Sequence, residues 1–388
     1  MRIRRCKVLY LEPRETVGFD LVDLLAGGSG AKRERSWVAL VPHLGTEEVV
    51  DATDREVLGG LSPEQWVDEE AVPDHWRPAL GKLINQGLVL SDASAHVANR
   101  ARDEALRRSH WHPLSALVHG LTRWTGVDAV EAMHSTGTET ADKLRDVLGA
   151  PPPERAPRAD IVSRTPLPVT DRNGFDGLLG RRTTCRNFDL SRALPLPLLA
   201  QLLHRVFAAQ AVVQVTDDTV FLKKSSPSGG GLHPVDAYVL VRDVAGLDSG
   251  LYYYDPVAHS LGRLPDPSLP LERLLLDAVA GQQWFADAHA MAIMAPRYVR
   301  NFWKYRQHAK AYRAVLLEAG HLSQTLYLSA TEAGLAAYVT CAINESCLDE
   351  ALGLDPMNEG VLAVCGFGWR GGTMETMELD PLGAVWQP

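Results

Sequence analysis

The sequence predicts an α+β protein built in two parts, and three observations carry that prediction. First, runs rich in β-branched and aromatic residues, such as residues 235–242 (VDAYVLVR), alternate with segments of helical spacing, such as residues 197–207 (PLLAQLLHRVF). Second, Pro151, Pro152, Pro153 and Pro157, followed by Pro166 and Pro168, break the chain near its middle. Proline lacks a backbone N–H and fixes φ, so this density blocks both helix and sheet. Third, no apolar run approaches the ~20 residues needed to cross a bilayer, so the apolar pattern belongs to a packed interior.

Taken in order, residues 1–95 are expected to open with strands at 6–11 and 37–42. Thr53 is placed to cap a helix over 54–58 that Gly59 and Gly60 stop, and Ser62 to cap another starting at Pro63. Residues 76–85 have helical spacing, Gln86 and Gly87 end it, and residues 88–90 read as a short strand. A helix leading through NQGLVL into a strand resembles a winged helix-turn-helix. More narrowly, it is similar to the winged-helix elements that recognise leader peptides of ribosomally made natural products. The same pattern also fits a small α+β packing module with no partner. Residues 96–150 read as a helical segment, where His110 and His112 lack further metal ligands spaced around them. Residues 151–174 form the proline-rich linker.

In residues 175–388, the helix at 197–207 has Pro197 in its first turn. A strand at 235–242, a turn at 248–250, a strand at 251–255 and a turn at Asp255 and Pro256 follow. Residues 308–333 form the longest helical pattern, small and apolar in its middle, as suits a helix buried on several sides. Gly334 ends it, and a strand at 361–367 closes the domain. There are no internal repeats.

The 388 residues include 39 Lys and Arg against 48 Asp and Glu, a net charge of −9. That balance argues against a nucleic-acid partner, which needs a basic surface. The first residues (MRIRRCK) are basic with no apolar run after them, so no secretory signal is expected. The five cysteines are scattered with no Cys-x-x-Cys pair, which indicates neither a disulfide framework nor a zinc site. A reduced, cytoplasmic protein without a membrane span is expected.

Four stretches can carry chemistry. At residues 182–188 (RTTCRNF), Arg182 and Arg186 flank the Thr184 hydroxyl, a compact donor set for a phosphate. At residues 227–234 (PSGGGLHP), backbone amides free of side chains can meet a flat ring. The other two are Lys304 with Tyr305, and the helix segment 318–335. Alone, each has a plain structural explanation: a solvated basic face, a turn, a surface pair, a packed helix.

Their order and spacing resemble the nitroreductase-like flavoproteins, and within them the SagB-type dehydrogenases that mature ribosomally synthesised peptides. That family opens with a basic–Ser-x-basic element before Phe, matched by residues 182–188 with threonine for serine. A Pro-Ser-x-Gly-x-x-x-Pro loop follows, matched at 227–234, then Gly-Leu-Tyr-x-Tyr-Asp-Pro, matched at 250–256. The Lys-Tyr pair and an EAGH helix come next in the family's order.

The resemblance implies a nitroreductase-like FMN-binding fold at 175–388. Arg182, Thr184 and Arg186 would hold the phosphate and ribityl end, and Pro227, Ser228, Gly229 and Gly230 would line the isoalloxazine. Gln324 would face the ring, Cys341 and Ala342 would present amides near its reactive edge, and Arg370 would add a basic phosphate contact. Lys304 and Tyr305 hold the catalytic position of azoline oxidation, in which a base removes a proton while hydride passes to FMN. Relatives form homodimers, so one is expected. The reading is an FMN-dependent oxidoreductase that dehydrogenates an azoline-type residue of a ribosomally synthesised precursor peptide, alongside a cyclase of the modification complex. Two alternatives stay open: an NAD(P)H-dependent FMN reductase of nitro, quinone or dehydroamino-acid substrates, and an inactive peptide-binding scaffold.

Overall fold

A computed structural model describes residues 1–155, 159–168 and 173–386. The chain folds into two compact units. The first comprises Met1–Arg123, Arg297–Val315 and Leu354–Gly360; the second takes Trp124–Pro296, Leu316–Gly353 and Val361–Pro388. Of the proline-rich stretch, residues 151–155 and 159–168 carry neither helix nor strand, while Pro157 lies outside the described residues.

In the first unit, Arg2–Arg5 pairs antiparallel with Val67–Asp68 on one side and Val89–Ser91 on the other. Tyr10–Phe19, Ala31–Val41 and Thr46–Val50 form a separate antiparallel meander. The strand expected at residues 6–11 is thus split. Cys6 N–H donates to Leu88 O at 3.0 Å and Lys7 N–H to Asp103 Oδ1 at 2.6 Å. Those bonds satisfy the backbone without a ladder.

The helix Ala52–Gly60 is capped by Asp51, not Thr53, in a capping box with Asp54. Ser62 Oγ does accept the N–H groups of Glu64 and Gln65, each at 3.1 Å, but no helix follows. Pairing of Val67–Asp68 with the first strand extends the chain instead. The helix Arg77–Asn85 packs Leu80, Leu83 and Ile84 onto Ile3, Val41, Leu58 and Leu88. Each such buried side chain is worth roughly 1.5–3 kcal/mol.

Around Trp111 an aromatic cluster gathers Tyr298, Phe302 and Tyr312 within ring distances of 4.6–5.5 Å. The Trp111 indole donates to Met357 O at 2.8 Å. His119 stacks on the same ring and its Nε2 donates to Pro356 O at 2.9 Å. Burial holds this imidazole neutral, pushed down to about 3.

The second unit is built on a six-stranded antiparallel sheet in the order Ser260–Arg263, Gly250–Asp255, Val235–Val241, Ala290–Pro296, Ala363–Gly368, Ala336–Ala337. Val235–Val241 and Ala290–Pro296 are buried along their whole length, which explains their apolar runs without alternation. Leu199 and Leu203 of the helix Leu196–Phe207 share one core with Val239, Ala292, Leu326 and Ala330. The helix Ala311–Glu332 carries the last two, and Gly334 leaves it with φ +72°. A hairpin of Ala211–Thr216 and Thr219–Lys223 was not anticipated by the pattern.

Candidate cofactor site

The arginine element leaves the end of the helix Gly174–Arg181 and runs beside Ala336–Ala337. Cys185 N–H donates to Ala337 O at 2.9 Å, fixing the backbone so that the residues on either side of Cys185 face away from it. The Thr184 and Tyr327 hydroxyls are hydrogen-bonded at 3.0 Å, and Val339 N–H donates to the same Tyr327 oxygen at 3.1 Å. The Arg182 guanidinium lies over the Tyr327 ring at 5.2 Å and that of Arg186 over Phe285 at 5.8 Å. Among the described residues neither guanidinium has a carboxylate within ion-pair distance. Two half-buried cations flanking a hydroxyl are therefore left uncompensated, an arrangement that favours an anion.

Arg370 differs. Its guanidinium is ion-paired with buried Glu378, donates to Thr183 Oγ1 at 3.0 Å and lies over Trp386. Its charge is spent inside the protein.

The glycine loop is tied to the long helix. Gly229–Gly231 form a single tight turn, with Gly230 at φ +64° and Gly231 at φ +69°, conformations that favour glycine. Ser226 Oγ meets Thr325 Oγ1 at 3.1 Å, His321 Nδ1 donates to Pro227 O at 3.3 Å, and Ser228 Oγ accepts His233 N–H at 2.9 Å. Beneath the loop, buried Glu318 takes hydrogen bonds from Ser228 and the Val235 amide, and burial pushes its carboxyl up. A Cβ on Gly231 would meet nothing within 4 Å. The turn therefore offers bare backbone at Gly231.

Gln324 lies exposed on the helix next to the Thr325 tie. Cys341 is exposed, and the Ala342 N–H is engaged by Thr340 Oγ1 at 3.1 Å. These residues, with the arginine element and the loop, belong to the second unit, whereas Lys304 and Tyr305 belong to the first. Lys304 ends the helix Tyr298–Lys304, is exposed, and sits 5.5 Å from the centre of the Tyr305 ring.

Tyr327, Asn187, Glu318 and Glu378 were not picked out from the sequence as site residues. A buried acid within an otherwise small and apolar helix was the available signal for Glu318; for Glu378 there was none.

An antiparallel core sheet, a long helix fastening a glycine turn, and an arginine pair flanking a hydroxyl make the second unit an α+β domain with a candidate anion site. The family model described as "Nitroreductase family" matches residues 179–369. A protein of Methanocaldococcus jannaschii named as a nitroreductase is 34% identical over 186 residues, covering 48% of this chain and 87% of its own length. The chain belongs to the nitroreductase family. The trifolitoxin-processing protein TfxB of Rhizobium leguminosarum bv. trifolii is 27% identical over 209 residues, covering 53% of this chain and 55% of the relative. Of solved structures, the E. coli microcin synthetase McbBCD complex with truncated pro-MccB17 bound is similar at TM-score 0.49 and 18% identity, covering 69% of this chain and 94% of that one. A nitroreductase from Desulfovibrio desulfuricans in complex with FMN is similar at TM-score 0.36 and 16% identity, covering 55% and 95%. Among the described residues no helix is long and apolar enough to cross a membrane.

Proposed function

We propose that this chain is an FMN-dependent dehydrogenase that matures a ribosomally synthesised peptide, oxidising an azoline-type residue to its aromatic azole. The observation that carries the cofactor is the uncompensated pair Arg182 and Arg186 around Thr184, tied through the long helix to the glycine turn. Family membership supports a flavin, and similarity to a trifolitoxin-processing protein supports a peptide substrate.

When bound, FMN supplies a two-electron acceptor for hydride. Arg182, Thr184 and Arg186 hold its phosphate by charge-assisted hydrogen bonds. Pro227, Ser228, Gly229 and Gly230 line the ring, held in place by Ser226, Ser228 and His321. Lys304 takes the proton from the carbon next to the one oxidised. Tyr305 hydrogen-bonds the substrate heteroatom as charge develops. In the first unit, the sheet around Arg2–Arg5 and the helix Arg77–Asn85 serve as the leader-binding module.

The test begins with the absorption spectrum of the purified protein, which should show flavin bands in the visible blue. Incubation with an azoline-bearing precursor peptide should then remove two hydrogens from it, read by mass spectrometry. The M. jannaschii relative favours a second reading, in which NAD(P)H reduces the flavin and a nitro or quinone compound is the acceptor. Anaerobic mixing with NADPH separates the two. Prompt bleaching supports the reductase, and a flavin that stays oxidised until the peptide is added supports the dehydrogenase.

A further inference from the structure

Glu378 is buried in the second unit with its side chain wholly shielded, and the mechanism above gives it no part. Its Oε1 accepts the backbone N–H of Arg186 at 2.6 Å, that of Asn187 at 3.1 Å and the Asn187 side-chain amide at 2.8 Å. Its Oε2 takes the Arg370 guanidinium and the Trp386 indole N–H, the latter at 2.9 Å.

Asn187 completes the clamp from the other direction. Its Oδ1 accepts the N–H groups of Glu375 at 2.8 Å and Thr376 at 2.7 Å, and its Nδ2 donates to Thr376 O at 2.7 Å. Residues 375–378 and 183–187 are thereby locked together. A buried carboxylate is costly to desolvate and persists only where its lone pairs are filled, as here by five donors.

The clamp has two consequences for the arginine element. It fixes the backbone of Arg186 and Asn187 from behind, and it cancels the charge of Arg370. We propose that Glu378 is a positioning residue for phosphate binding: it holds residues 183–187 in the binding geometry and draws Arg370 out of direct contact, so that Arg182 and Arg186 read the phosphate. This rests on the flavin reading above.

The sign of one experiment is diagnostic. If Glu378 acted only as a nearby negative charge, removing it would strengthen binding of a phosphate. A positioning role requires the opposite. FMN and riboflavin are titrated into apoprotein by fluorescence quenching, and the ratio of the riboflavin Kd to the FMN Kd isolates the phosphate contribution. In Glu378→Gln this ratio should fall about tenfold while riboflavin affinity stays nearly constant. An unchanged or larger ratio in the folded variant overturns the proposal. If Glu378→Gln does not fold, Trp386→Phe deletes only the indole donor and should lower the ratio about threefold; no change there overturns it equally. The wild type separates this failure from others. Binding of neither flavin removes the flavin reading and this proposal together. Equal binding of both leaves a flavin protein but removes the phosphate element and the role of Glu378.

Discussion

Thr184 and Tyr327 are joined hydroxyl to hydroxyl at 3.0 Å, and this bond ties the arginine element to the long helix that also fastens the glycine loop. Tyr327 is buried, and burial pushes its phenol up, so it stays a neutral hydrogen-bonding group at physiological pH. Tyr327→Phe deletes this bond and leaves the Val339 N–H without its partner. The expected loss is about 1–3 kcal/mol of stability, read by chemical denaturation, with weaker FMN binding in the folded fraction.

Arg182 and Arg370 should fail differently although both were expected at the phosphate. Among the described residues Arg182 has no carboxylate within ion-pair distance, so Arg182→Ala should leave the fold intact and weaken FMN, but not riboflavin, by about tenfold or more. Arg370 neutralises buried Glu378, so Arg370→Ala should cost about 3–5 kcal/mol of stability by leaving that carboxylate uncompensated. Paired denaturation and flavin titrations on both variants check the contrast. An Arg370→Ala protein of wild-type stability would contradict it.

His119 makes the first unit acid-sensitive. Its imidazole is pushed down to about 3 by burial, against an ordinary 6.5, so the folded protein resists protonation that the unfolded chain accepts. Its contribution is therefore fully present above about pH 6.5 and is lost as pH falls towards 3, at about 1.4 kcal/mol per unit. His119→Gln keeps an N–H donor for Pro356 O but does not titrate. Between pH 4 and 6 the variant's stability should fall less steeply than the wild type's by about that slope. Parallel curves would show that His119 is not the source.

What the sequence made legible was whatever local spacing determines. The helix Leu196–Phe207, the buried strand Val235–Val241 and the long helix closed by Gly334 follow from periodicity and glycine chemistry. The Arg182, Thr184 and Arg186 set and the glycine turn were visible because their residues are adjacent in the chain. Pairing across distance was not visible. Val67–Asp68 became a strand because of Arg2–Arg5, overriding the Ser62 cap signal. The commitment of Arg370 depends on Glu378, which no motif marks. The hairpin is exposed along Ala211–Thr216 and half-buried along most of Thr219–Lys223, without the alternation that would have revealed it.

The glycine turn separates conformation from occupancy. Gly230 has φ +64°, where a β-branched residue is strained, so Gly230→Val should distort the loop and abolish FMN binding. Asparagine tolerates this backbone region. If glycine is needed only for its conformation, Gly230→Asn should restore FMN binding. If the ring lies against bare backbone, Gly230→Asn should stay folded and still exclude FMN, which is the expected result. Flavin retained through gel filtration, compared with the thermal unfolding midpoint, reads both.

In the proposed mechanism Lys304 is the base of the chemical step. It is exposed at the end of the helix Tyr298–Lys304, in a different unit from the arginine element, so neither flavin retention nor the fold should depend on its ammonium. Lys304→Ala should keep the flavin absorption bands and the wild-type unfolding midpoint. Peptide oxidation should fall by about 100-fold or more, the usual scale for loss of a positioned base. Tyr305→Phe should reduce the rate less, because it removes a hydrogen bond and not the proton acceptor. Single-turnover flavin reduction by the azoline peptide measures both, free of any later reoxidation step. Wild-type rates in Lys304→Ala would remove Lys304 as the base and place proton removal on another group.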